Sequence, residues 1–85
     1  MPFNLNSAIT SSGNGSLTLI AADDIYINSA ISLSGTNNQV TLTAADIVYL
    51  GASITTTGNQ TINANVDIQG SSTLNSGLAN ITING

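Results

Sequence analysis

GSLTLIAADDIYINSAISLSG, residues 15–35, decides the fold, because residues 38–58, NQVTLTAADIVYLGASITTTG, repeat it without a gap at an offset of 23 residues. In that register Thr18 meets Thr41, Leu19 meets Leu42, Ala21-Ala22-Asp23 meets Ala44-Ala45-Asp46, Tyr26 meets Tyr49, Ile31 meets Ile54 and Gly35 meets Gly58. A short period carrying alternating apolar residues marks a solenoid, in which each turn buries an apolar face that its neighbour cannot bury alone.

Side chains two apart on a strand share a face. Leu17 and Leu19, Ile25 and Ile27, and Ile31 and Leu33 therefore point inward on three short strands separated by corners. The second coil repeats this with Val40 and Leu42, Val48 and Leu50, and Ile54 and Thr56. The third reads Ile62 and Ala64, Val66 and Ile68, then Ser72 and Leu74, with its first corner shortened between Ala64 and Val66. The predicted fold is all-β: a triangular parallel β-helix, or β-solenoid, of about four coils of 19–23 residues, forming one domain over residues 1–85. Full coils span about 15–35, 38–58 and 60–77, and partial coils cover 3–13 and 78–85. Turn-forming residues, Gly13-Asn14-Gly15, Gly35-Thr36-Asn37-Asn38, Gly58-Asn59 and Gly77, recur at one corner, where stacked asparagines can bond between coils.

Following the register outward reaches both termini. Phe3, Leu5 and Ile9 match Ile25, Ile27 and Ile31, so the chain enters at a second strand; Ile81 and Ile83 match Val40 and Leu42, so it leaves after a first strand. The two partial coils are complementary. From Ile83 of one copy to Phe3 of the next would be five steps, against six from Leu19 to Ile25, six from Leu42 to Val48 and four from Ile62 to Val66. Phe3, Leu5, Ile9, Ile81 and Ile83 are thus the expected contacts of a head-to-tail homopolymer.

Composition narrows the functional classes. Among 85 residues there is no Lys, Arg, His or Cys, and four acids give a net charge of −4. Nucleic-acid binding, which rests on basic side chains neutralising phosphates, is not expected, nor is attraction to an anionic membrane. Disulfides and cysteine-based metal sites are excluded. Met1-Pro2-Phe3-Asn4 shows neither a basic start nor a long apolar run, so no secretion signal or membrane insertion is expected. A hydrophobic content of 41%, mostly Ile, Leu, Val and Ala, favours order over disorder.

The run Val40-Thr41-Leu42-Thr43-Ala44, the corner and strand Ala45-Asp46-Ile47-Val48-Tyr49-Leu50, and Gly51-Ala52-Ser53-Ile54-Thr55-Thr56-Thr57-Gly58-Asn59 together resemble the haemagglutinin-type repeats of large bacterial exoproteins. The likeness to filamentous-haemagglutinin-like proteins covers nearly the whole chain. It implies a right-handed parallel β-helix, export through an outer-membrane partner, an extracellular or bacterial cell-surface location, and a role as an adhesin or as the stalk of a contact-delivered toxin.

Four constellations bear on chemistry. Asp23, Asp24 and Asp46 share a corner of adjacent coils and are candidates for Ca²⁺, which prefers hard oxygen ligands; as a plainer reading they are solvated turn formers, and the glycine-aspartate nonapeptide of calcium-binding β-helices is missing. Asp67 lies away from that corner, so no carboxylate pair suited to glycoside cleavage is expected, no catalytic residue is named, and the chain reads as a non-enzyme without a cofactor. Tyr26 and Tyr49 face outward one above the other, either as a stacked ladder or as a platform for a surface glycan. Thr18, Thr41, Thr61 and Thr82 form an outward threonine column of the kind ice-binding solenoids use, but the neighbouring column, Ile20, Thr43, Asn63 and Asn84, is not a second threonine row. The leading expectation is a structural extracellular protein that stacks into a continuous filament. The alternatives are an adhesin or toxin-stalk segment, or an ice- or glycan-binding solenoid.

Overall fold

Ten strands follow one another through the computed structural model, which describes residues 2–85: β1 (Phe3–Leu5), β2 (Ile9–Ser11), β3 (Ser16–Ala21), β4 (Ile25–Ile27), β5 (Ile31–Leu33), β6 (Gln39–Leu50), β7 (Ile54–Thr55), β8 (Gln60–Ile68), β9 (Leu74–Asn75) and β10 (Ile81–Ile83). Every pairing between them is parallel and joins a strand to its counterpart one coil on. The chain is therefore a β-solenoid of about four coils, as the repeat predicts. No helix among the described residues is long and apolar enough to cross a membrane.

The strands line three faces. The first holds β3, the start of β6, the start of β8, and β10; the second holds β1, β4 and the ends of β6 and β8; the third holds β2, β5, β7 and β9. β6 and β8 run unbroken through the corner between the first two faces and merge them into one sheet. Each face carries four strands. The stack thus contains a whole number of coils, counted on any face.

Inside, like residues sit over like. The columns Ile25–Val48–Val66, Ile27–Leu50–Ile68 and Ile31–Ile54–Leu74 follow from the strand register. Ile25, Ile27, Ile31, Leu42, Val48, Leu50 and Ile54 are fully buried. A third inward position on the first face is held by Ala21, Ala44 and Ala64, small enough for the bend that follows.

Two details of the third coil depart from the sequence expectations. On the third face Ile54 pairs with Leu74 and Thr55 with Asn75, so the inward pair is Leu74 and Ser76, not Ser72 and Leu74. The first strand of the third coil begins one inward position earlier than Ile62, at Gln60, which lies over Val40 and is buried. At the turn corner only Asn37 and Gly77 have left-handed backbone, with φ of 56° and 64°. Gly35 and Gly58 are required for a different reason. A Cβ on Gly35 would run into the Gly13 carbonyl one coil below, and one on Gly58 would lie 2.8 Å from the Asn38 carbonyl oxygen.

The corner asparagines work through the backbone. Asn38 is buried; its Oδ1 accepts from Gly15 N–H at 2.8 Å and its Nδ2 donates to the Gly13 carbonyl at 2.9 Å, so one side chain satisfies two groups of the coil below. Asn14 Oδ1 accepts from Thr36 N–H at 3.0 Å, and Asn59 Oδ1 from Asn80 N–H at 3.0 Å. Amide-to-amide bonds occur elsewhere on the exterior, from Asn28 to Asn6 at 3.0 Å and from Asn84 to Asn63 at 2.9 Å.

Candidate functional site

The two ends of the stack leave strand edges without a neighbouring strand. The lower end exposes one edge of β1, β2 and β3, and the upper end one edge of β10, of β9 and of the second half of β8. Strand edges present unpaired N–H and C=O groups that template further pairing. Inward side chains at these edges have lost one of their two axial neighbours. Ile68 is 56% exposed, Ile83 47% and Phe3 38%. Among the described residues there is no helix to cover either end.

The expected interface residues fall at these ends, with one difference. Phe3, Ile9, Ile81 and Ile83 stand on open edges and are exposed or half-buried, whereas Leu5, packed beneath Ile27, is already buried. The sequence reading omitted Leu17 and Leu19 at the lower end and Val66, Ile68 and Leu74 at the upper. They have the same inward spacing as core residues, so only counting which strands lack a next coil could have placed them at an edge. A hollow of about 170 Å³ opens at the lower end beside Ile9, Leu17, Leu33 and Asn38.

Both ends are ramps. At the lower end β1 begins one coil below β3, and at the upper end β10 lies one coil above the second half of β8. In each case the step falls at the corner between the first and second faces. The steps at the upper and lower ends are therefore complementary in shape in one rotational setting.

Asp23, Asp24 and Asp46 do come together, with carboxylate oxygens all within 4.8 Å of one another. Asp24 Oδ1 accepts from Ile47 N–H at 3.1 Å, tying the first coil to the corner of β6. Contributing one oxygen each, the three carboxylates supply three of the six to eight oxygens that Ca²⁺ collects, the rest falling to their second oxygens, backbone or solvent. Asp67 stands apart, over Tyr49 in the second-face column.

Tyr26 and Tyr49 are stacked, with centroids 4.6 Å apart and planes 9° from parallel. The inner ring faces cover each other, and Asn4 and Asp67 flank the pair in the same column. Desolvation first, then the charges of Asp24, Tyr26, Asp46 and Asp67, raise the Tyr49 hydroxyl pKa above its ordinary value. Thr18, Thr41 and Thr61 follow in register and Thr82 pairs with Thr61, completing the threonine column beside the mixed column Ile20, Thr43, Asn63 and Asn84.

Compared with known protein families, with curated proteins and with solved structures, the chain matches none. The likeness to haemagglutinin repeats therefore rests on the repeat residues alone.

Proposed function

We propose that this protein is a structural building block whose copies stack head to tail into a continuous β-solenoid filament outside the cell. The observation that carries this reading is the match between its two open ends. In the interlocked setting, Phe3 and Leu5 of the next copy lie over Val66 and Ile68, Ile9 over Leu74, and Leu17 and Leu19 over Ile81 and Ile83. Each junction column continues an interior one.

Full burial of a large aliphatic side chain stabilises by about 1.5–3 kcal/mol. Covering four side chains that are roughly half exposed thus contributes on the order of several kcal/mol per junction. Backbone pairing along three edges adds direction to that attraction. Contacts between unlike ends do not close on themselves, so they generate an open filament. A whole number of coils per copy gives an axial rise of about 19 Å, four strand spacings of about 4.8 Å.

Negative-stain microscopy and sedimentation of the purified chain test the proposal. Expected are thin unbranched filaments with a rise near 19 Å above a critical concentration. A species that sediments as a monomer at every concentration overturns it. The open ends also suit a second reading, a stalk segment of an adhesin, in which the same edges dock onto neighbouring coils of a longer chain. Monomeric behaviour of this chain alone favours that reading.

A further inference from the structure

The outward column of the second face reads Asn4, Tyr26, Tyr49, Asp67 from the lower edge to the upper. A carboxylate stands on one open edge and an amide on the other. Of the four acids in the chain, three cluster at the first corner; Asp67 alone lies on an edge strand. We propose that Asp67 and Asn4 are the specificity-determining pair of the junction between copies, the Asp67 carboxylate accepting a hydrogen bond from the Asn4 amide of the next copy. This inference rests on the stacking proposed above and deepens it.

None of the remaining outward positions at the two edges carries a charge: Asn84 would meet Ile20 and Asn75 would meet Thr10, and two other columns pair like with like. Gln69, which follows Ile68, continues the column of Asn28 and Asn6, so an amide meets an amide across the junction. Thr82 meets Thr18, hydroxyl to hydroxyl. Such groups donate and accept equally well and tolerate either partner. A carboxylate only accepts. Facing Asn4 it finds a donor; in a misassembly that joins two upper ends on their shared face it finds the second Asp67. Like charges opposed across strands are destabilising, and such repulsion suppresses the wrong partner. Asp67 thus gives the filament its polarity, and the amide–carboxylate pair bridges the tyrosine stacks of successive copies.

Charge placed at position 4 reads the junction selectively. Within one copy Asn4 and Asp67 are three strand spacings apart, about 14 Å. That exceeds the screening length of about 8 Å at physiological salt. Across the junction the spacing is about 4.8 Å. The experiment measures the critical concentration for pelletable filaments of the full chain, with circular dichroism as the check on folding. Asn4→Asp is expected to raise it about tenfold or more, Asp67→Asn to change it by less than about threefold, and the double variant to return to within about threefold of the unaltered chain. Asn4→Lys, which does not depend on tolerance of a carboxylate at position 4, is expected to lower it about threefold at low salt and to lose that effect at high salt.

An unaltered chain that never pellets overturns both the stacking and the pair. Filaments of the unaltered chain with no response to Asn4→Asp or Asn4→Lys leave the stacking standing and overturn the pair. Failure of Asp67→Asn to rescue Asn4→Asp in a folded double variant overturns it equally.

Discussion

Leu50 and Ile68 occupy the same inward column one coil apart, yet Leu50 is fully buried and Ile68 is 56% exposed. Sequence spacing, strand face and side-chain volume are nearly identical. The difference is the coil above: Leu50 has one, and Ile68 does not. In a solenoid, burial belongs to a residue's place in the stack as much as to its place on the strand, and an uncovered row is core that lacks its neighbour.

The largest expected effect widens that contrast. Leu50→Ala leaves a cavity between filled rows and should cost about 2–5 kcal/mol in denaturant unfolding of the dilute chain. Ile68→Ala should cost under about 1 kcal/mol in the same measurement, because its lost surface was already wet. Equal costs would mean that the upper end is covered in solution. Next in size is Ile83→Asp, which sets a charge in the proposed junction and should raise the critical concentration for assembly at least tenfold, by about 1.4 kcal/mol or more, with dilute stability changed much less.

A smaller effect is expected at Gln60. Its Nε2 donates to the Ile54 and Asn75 carbonyls at 3.2 and 2.9 Å and to Thr56 Oγ1 at 3.2 Å, but its buried Oε1 has no partner. An unsatisfied buried acceptor costs about 1–3 kcal/mol. Gln60→Val, which copies Val40 below it, should raise the unfolding midpoint by an amount equivalent to about 1 kcal/mol. A lower midpoint would show that the bonds made by the two Nε2 hydrogens, shared among three acceptors, outweigh the orphan oxygen. Smallest is the alkaline response. Because the folded chain raises the Tyr49 pKa, it holds that proton more tightly than the unfolded chain does. The stabilisation is fully present below the unfolded tyrosine range, near about 10, and is lost as pH rises through the folded value. Thermal melts between pH 8 and about 11 should show this fall, shallower in Asp67→Asn because one of the charges raising the pKa is gone.

Most of the fold was legible because one template is written twice without a gap, and period-two alternation states which side chains turn inward. Legibility failed where the third coil departs from that template. Its first corner is two residues shorter and its second two longer, and the longer one, Gly70-Ser71-Ser72-Thr73, carries no apolar signal; Gly70 adopts φ of 68° there. The inward pair was therefore read too early, at Ser72. Gln60 escaped for a related reason: a search for apolar alternation passes over a polar residue that is inward because its amide ties three acceptors together. The acid corner and the tyrosine stack were both readable, since equal positions in a repeat must meet in space. The edge row was not, because nothing in Ile68 itself says that its column stops there.

The shortened corner of the third coil has a consequence for any stack of these molecules. Where β6 passes through Ala44-Ala45-Asp46, β8 has Ala64 alone, so the outline draws in at one level on one edge of the prism. Repeated along a filament, that indentation, with the longer second corner of the same coil, becomes a phase mark that recurs once for every four coils. It shows where each subunit begins its count, and it makes a slip by a single coil visible as a notch out of line with its neighbours.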